Sequence, residues 1–318
     1  MADSMPHLTY DGAVTLSSEV NNPGIGQLQR SCYDFYPNPA TTPALPRHSM
    51  EYLFRVMKTW PRMIARGFQL PPIFHHSQTT SCDAPQPLAK CFMLTKMWYN
   101  ENQASPEMIR TAVLAEMEII FNTYCIMDQE TLSASVQALV IYLLLLMFPT
   151  TKTTSEVSFL DPYIFVKITN IAYYLAINGL ILTEERKHTM PKWEDWINVN
   201  MKRRAALSIY LLNWCYSVYH CLPAIACDEL AFLPAPTAKV LWQARSEEEW
   251  RFLYARWLKN WDRCGYLQGE FLLIEQGIQM DERSEMWLEE TDELGIMFMG
   301  ILNAVEREPE FSEKVNIR

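Results

Sequence analysis

From Met50 onward apolar residues recur at intervals of three and four. Leu53, Phe54, Met57, Trp60 and Ile64 make one stripe of an amphipathic helix, which Pro61 is expected to interrupt and which ends near Gly67. Pro87 to Trp98 repeats the pattern, with Leu88, Cys91, Leu94, Thr95 and Trp98 on one side. Ser105-Pro106-Glu107 reads as a helix start. The serine can accept an orphan backbone N–H, the proline suits the first helical position, and the acid lies near the positive end of the dipole. This helix is expected to reach about Cys125. Asp128-Gln129-Glu130 opens another in the same way, carrying Val136 on to Phe148, where Pro149 stops it. Its unbroken apolar part, Ala138 to Phe148, is well short of the roughly 20 residues a bilayer needs, so the reading is a buried central helix and no membrane partner. Asp161-Pro162 begins a further helix, through Ile168, Ile171, Ala172 and Leu175, to a left-handed end near Asn178-Gly179.

Bulky anchors dominate the second half. Trp193, Trp196, Ile197, Asn200 and Met201 lead into Lys202-Arg203-Arg204-Ala205-Ala206, and apolar residues then continue to Tyr219. This predicts a long, mostly buried helix that Pro223 ends. Leu230 to Pro236, with two prolines one residue apart, must be extended, because the residue before a proline avoids the helical region. Ser246-Glu247-Glu248-Glu249-Trp250 has the spacing of a capping box, in which Ser246 and Glu249 satisfy one another's orphan donors. From Leu267 to Ile301 acidic residues interleave with Trp287 and Leu288. Met286, Leu294, Met297 and Phe298 are expected to seat a C-terminal helix; the competing reading is an acidic activation surface. Residues 1–45, rich in Pro, Asn, Thr and Ser without a sustained apolar period, are expected to be a disordered or loosely draped arm, and 46–318 a single α-helical domain.

Composition supports that class. Hydrophobic residues make up 49% of 318, enough for a substantial core, and 10 Gly against 19 Pro with 17 Met and 10 Trp suit helices joined by proline-punctuated loops better than a barrel or sandwich. The expected fold is therefore all-α and multi-helix, with Pro-rich extended connections. A formal charge of -10 argues against wrapping nucleic acid, since that binding draws on Lys and Arg displacing counterions. The compact basic cluster, Lys202-Arg203-Arg204, is read as the solvated face of a helix, with a localisation signal or phosphate contact as the alternative.

Candidate chemistry is sparse. No pair of the eight cysteines has the two-residue spacing of a zinc ribbon or thioredoxin site, so reduced, buried thiols are expected. The opening Met-Ala-Asp-Ser-Met-Pro-His lacks a basic region followed by an apolar stretch, which points away from secretion and toward a reducing compartment. Leu70 to Gln78 is expected to be an extended or turn segment, and His75 and His76, as neighbours in an extended chain, are expected to face opposite ways. Glu185 and His188 have the acid-to-histidine spacing of carboxylate-bridged metal bundles, but such a site needs two motifs, so the pair is read as solvent-facing charge. No catalytic residue, cofactor-binding residue or metal ligand is expected.

Trp193-Glu194-Asp195-Trp196-Ile197, Lys202-Arg203-Arg204-Ala205-Ala206 with its hydrophobic helix, the Leu230-to-Pro236 segment, Leu241-Trp242-Gln243-Ala244 and Glu248-Glu249-Trp250 come in an order that resembles the fungal-specific transcription factor domain. That domain is the regulatory middle region downstream of zinc binuclear cluster or paired-finger modules. Leu70-Pro71-Pro72-Ile73-Phe74-His75-His76-Ser77-Gln78 and Pro87-Leu88-Ala89-Lys90-Cys91 are also similar to it, so the resemblance covers roughly residues 47 to 260. It implies transcriptional regulation in the nucleus, of a metabolic gene cluster, with protein partners (other regulators or coactivators) and a small-molecule effector. The family's regulators carry cysteine groups near the N-terminus, whereas the first 45 residues here contain only Cys32, so direct DNA reading by this chain is not expected. The rival reading is an enzyme, such as a cofactor-independent cyclase, or a small-molecule-binding protein with an aromatic-lined helical cavity. A metal-dependent terpene cyclase is disfavoured, because no Asp-Asp-x-x-Asp cluster is present. No Gly-x-Ser-x-Gly elbow or phosphate loop is present either.

Overall fold

The computed structural model describes residues 44–80, 85–100, 105–148, 161–177, 179–221, 231–274 and 280–302. About 75% of these are helical, and no strand occurs among them. The helices of two turns or more are α1 (Ala44–Met57), α2 (Trp60–Arg66), α3 (Gln86–Trp98), α4 (Pro106–Thr123), α5 (Gln129–Met147), α6 (Pro162–Ile177), α7 (Trp193–His220), α8 (Glu247–Asn260), α9 (Glu282–Glu290) and α10 (Glu293–Leu302).

α5 is the axis of the fold. Every residue from Leu132 to Met147 is buried, as an apolar run with no polar face requires, and α2, α3, α4, α6 and α7 pack around it. Taken whole, its 19 residues are long and apolar enough to cross a membrane, yet 89% of that window is buried inside the fold. Neighbouring helices therefore occupy the surface that lipid would cover. α7, the longest helix, extends from this core, where it meets α1, α5 and α6, toward α8 and α10. The expected caps form: Ser105 Oγ accepts from Met108 N–H, and Asp128 from Thr131 N–H.

Several expectations need correcting. The first helix breaks at Lys58 and Thr59, and Pro61 lies in the first turn of α2, where its missing N–H costs nothing. The arm of residues 1–45 lies outside the described residues, apart from Ala44 and Leu45, which begin α1. α7 ends at Cys221 in the left-handed region, φ 52°, ahead of Pro223, which is itself undescribed. Ser246 Oγ accepts from Glu249 N–H, but the Glu249 carboxylate returns to Arg245 N–H at 2.8 Å, so the capping box is shifted by one residue. Cys91 and Cys215 are buried, and burial pushes the Cys91 thiol up to about 12. Cys125 is exposed and Cys221 and Cys264 are half-buried, which departs from the default of buried thiols.

The proline-rich segment before α3 is buried, so its backbone groups need partners. Gln137, on α5, supplies one: its side-chain N–H donates to Ile73 O at 2.6 Å and its Oε1 accepts from Gln78 at 2.8 Å. Arg204 supplies another, donating to Pro72 O at 3.0 Å. A glutamine and an arginine deep in the structure thus replace the hydrogen bonds that a helix would have made internally.

Candidate functional site

The largest departure from expectation concerns Lys202-Arg203-Arg204. The three residues are 7%, 2% and 1% exposed and none forms a solvated face. Arg203 donates to Leu180 O (2.8 and 3.0 Å), to Asn200 (3.3 Å) and to the Glu185 carboxylate (2.7 Å). Arg204 pairs with Asp292 at 2.5 Å and lies over the Trp242 ring, 4.2 Å from its centroid. Lys202 donates to Gln129 Oε1 at 2.6 Å. The cluster is an internal cross-brace joining α7 to the 180–185 turn, to the start of α10 and to the proline-rich segment. α7 carries large apolar residues all round, so its basic triplet has no polar face to occupy. That signal was present in the sequence.

The Glu185 and His188 expectation is corrected by the same contacts. Glu185 accepts from Arg203 and from Leu182 N–H, and His188 Nε2 meets Leu258 O at 2.9 Å. They take different partners, and among the described residues no group of three His, Cys, Asp or Glu side chains is placed to hold a metal ion.

His75 and His76 do not face opposite ways, because the chain turns at this point. Their rings lie 4.2 Å apart, and His75 also contacts Trp193 and Trp242. His75 is fully buried, and its Nδ1 accepts from Ser77 N–H at 3.3 Å. This assigns the neutral tautomer with the proton on Nε2, an atom with no partner. Burial lowers its pKa to about 3, assisted by His76 and Arg204. In the unfolded chain an ordinary histidine near 6.5 binds protons that the folded site refuses, so stability is complete above about 6.5 and falls as pH drops toward 3. Urea titrations at pH 7 and pH 5 should show the folded state losing stability on acidification, and the slope should flatten in His75→Asn.

A second, tryptophan-centred cluster of Trp196, Trp242, Trp250 and Tyr254 adjoins the main core. Between it and α9 lies a cavity of about 200 Å³. The segment after residue 230 runs antiparallel to residues 266–269: Ala235 N–H donates to Tyr266 O, Gln268 N–H to Leu233 O and Gly269 N–H to Ala231 O, at 2.8 to 2.9 Å. Of the segment expected to be extended, Leu230 lies outside the described residues and Ala231 and Phe232 form a turn, while this pairing gives Leu233 to Pro236 the physical basis of an extended course and sets one wall. The other walls come from Trp196 and Arg203 on α7, Tyr254 and Trp257 on α8, and Trp287 and Glu290 on α9. Gly265 leaves the room that Trp257 needs, since a Cβ there would fall 2.9 Å from the indole.

The polar groups of this cavity are few and held in place. Trp287 Nε1 donates to Pro236 O at 3.1 Å. The Tyr266 hydroxyl meets Ser284 at 2.6 Å, and burial pushes its phenol up to about 12. Burial also raises the Tyr254 phenol. Glu290 Oε2 accepts from both Trp257 Nε1 and Trp261 Nε1, at 3.0 and 3.1 Å. Desolvation raises the Glu290 carboxyl above its ordinary range, against the two indole hydrogen bonds that stabilise its charged form. The arrangement can enclose an apolar, flat or branched ligand and offer it one carboxyl group. Among the described residues that line it, no nucleophile is paired with a base.

The acidic C-terminal stretch keeps Asp281, Glu282, Glu285 and Glu289 exposed and turns other side chains inward. Trp287 is buried, Glu290 serves the cavity, and Glu270 pairs with Arg283 at 2.8 Å. Leu294, Met297 and Phe298 seat α10 as expected, while Met286 is partly buried against the core. Sequence reading passed over Glu290 because its indole partners lie 33 and 29 residues away.

Comparisons of the chain with protein-family models, with curated proteins and with solved structures find no match.

Proposed function

We propose that this chain is a regulatory domain of fungal transcription-factor type, working in the nucleus through protein partners and gated by a small-molecule effector in the aromatic cavity. The observation that carries the reading is one of position. Trp196, Arg203 and the Pro234–Pro236 segment lie within the stretch that resembles the family, and they line this cavity. Burial of Lys202-Arg203-Arg204 supports indirect DNA contact, because guanidinium groups already engaged inside the fold cannot neutralise phosphates. An effector that binds the folded domain stabilises whichever arrangement of the cavity walls it prefers, and so can change which surfaces are open to a coactivator.

One observation favours a second reading, that of a cofactor-independent cyclase: the cavity pairs aromatic walls with a single carboxyl group of raised pKa, the arrangement a general acid requires. Disruption of the gene with transcript and metabolite profiling separates the two. The regulator reading expects reduced transcripts for a set of metabolic genes. Unchanged transcripts with accumulation of a metabolic precursor would contradict it and support the enzyme.

A further inference from the structure

We infer that the cavity selects an organic cation, an ammonium group carried on an apolar body, with Glu290 as its counter-ion. The inference rests on the reading of this cavity as the effector site and gives that site its chemistry. Every charge near the cavity except one is already matched or solvated. Arg203 is matched by Glu185, at 2.7 Å, and Arg283 by Glu270, at 2.8 Å, while Arg186 is exposed at the rim. Glu290 is the exception: its carboxylate is half-buried and no Lys or Arg pairs with it among the described residues. Both indole hydrogen bonds go to Oε2, which leaves Oε1 for a ligand.

An unpaired carboxylate withdrawn from water is costly unless a cation meets it. The surrounding indole and phenol rings favour the same charge, since their faces are electronegative and attract ammonium groups most strongly where water is excluded. One of these rings already attracts a cation: the Arg283 guanidinium, outside the cavity lining, lies 4.9 Å from the centroid of the Trp261 ring. An anionic ligand would face Glu290 uncompensated, and a neutral one would leave the carboxylate as it is.

Tryptophan fluorescence of the full chain, titrated with benzyltrimethylammonium, its neutral isostere neopentylbenzene, and phenylacetate, tests the inference. Saturable binding of the cation at least about 10-fold tighter than of the neutral isostere is expected, with no binding of the anion. Glu290→Gln, which keeps an oxygen for the two indoles, should weaken binding of the cation and narrow its advantage over the neutral probe while leaving the neutral probe unchanged. Neutral binding equal to or tighter than the cation's overturns the inference and leaves the effector reading standing with another chemistry. Tightest binding of phenylacetate does the same. Absence of binding by all three probes overturns both. The comparison of probes on the unsubstituted chain stands even where Glu290→Gln fails to fold.

Discussion

Replacing Arg204 with Met is expected to cost the folded state about 3–5 kcal/mol, the range for leaving a buried charge without its partner. This is a large share of the roughly 5–15 kcal/mol by which a domain is stable. The side chain is 1% exposed and Asp292, its partner, 3%. Met fills much of the arginine's volume over Trp242, so most of the loss arises from the stranded Asp292 carboxylate and from Pro72 O, which loses its donor. Asp292→Asn alone should also destabilise, by leaving Arg204 unpaired, although the amide oxygen can still accept from Leu294 N–H, as Asp292 Oδ1 does at 3.1 Å. The double variant should be more stable than the sum of the singles allows, because neither charge is then left alone. Urea unfolding midpoints of the four proteins measure this. A solvated triplet, as its composition suggests, would give Arg204→Met a midpoint near that of the unsubstituted chain.

Trp250→Ala is expected to cost a similar amount, about 3–5 kcal/mol, through lost burial and the cavity left behind. Trp250 is wholly buried, with ring centroids of Trp193, Trp196 and Tyr254 at 4.7 to 5.3 Å. It holds α8 against α7, so its loss should also open the aromatic cavity. Trp250→Phe should cost far less, under about 1.5 kcal/mol, because the indole N–H it removes has no partner and an unmet buried donor is itself unfavourable. Thermal melts of the two variants give the comparison. A Phe substitution as damaging as Ala would show that the indole N–H makes a contact that stabilises the fold.

The helices were legible because their signals are local. Ser105 and Asp128 accept from N–H groups three residues on, and the apolar run of α5 needs no distant information to be placed inside. The cross-brace and the cavity depend on distant pairings. Arg204 finds Asp292 88 residues later and Pro72 132 residues earlier, and nothing in Lys-Arg-Arg distinguishes such a buried triplet from a solvated one except the apolar residues surrounding it. The same limit applied to His75 and His76. Reading them as opposed neighbours assumed an extended chain, whereas the backbone turns there, with Phe74 N–H bonded to Pro71 O and Gln78 N–H to His75 O. Glu290, the one acid lining the cavity that no Lys or Arg pairs with among the described residues, was read as part of an acidic run, because only folding brings two indole N–H groups to it.

The aromatic cavity, rather than the basic triplet, is the proposed working surface of the regulator. Transcript profiling of a strain carrying Glu290→Gln at the native locus, with the protein confirmed at its normal level, tests this most directly. The expected result is a shift in the same set of metabolic genes that responds to disruption of the whole gene. Transcripts indistinguishable from those of the unsubstituted strain would contradict the account.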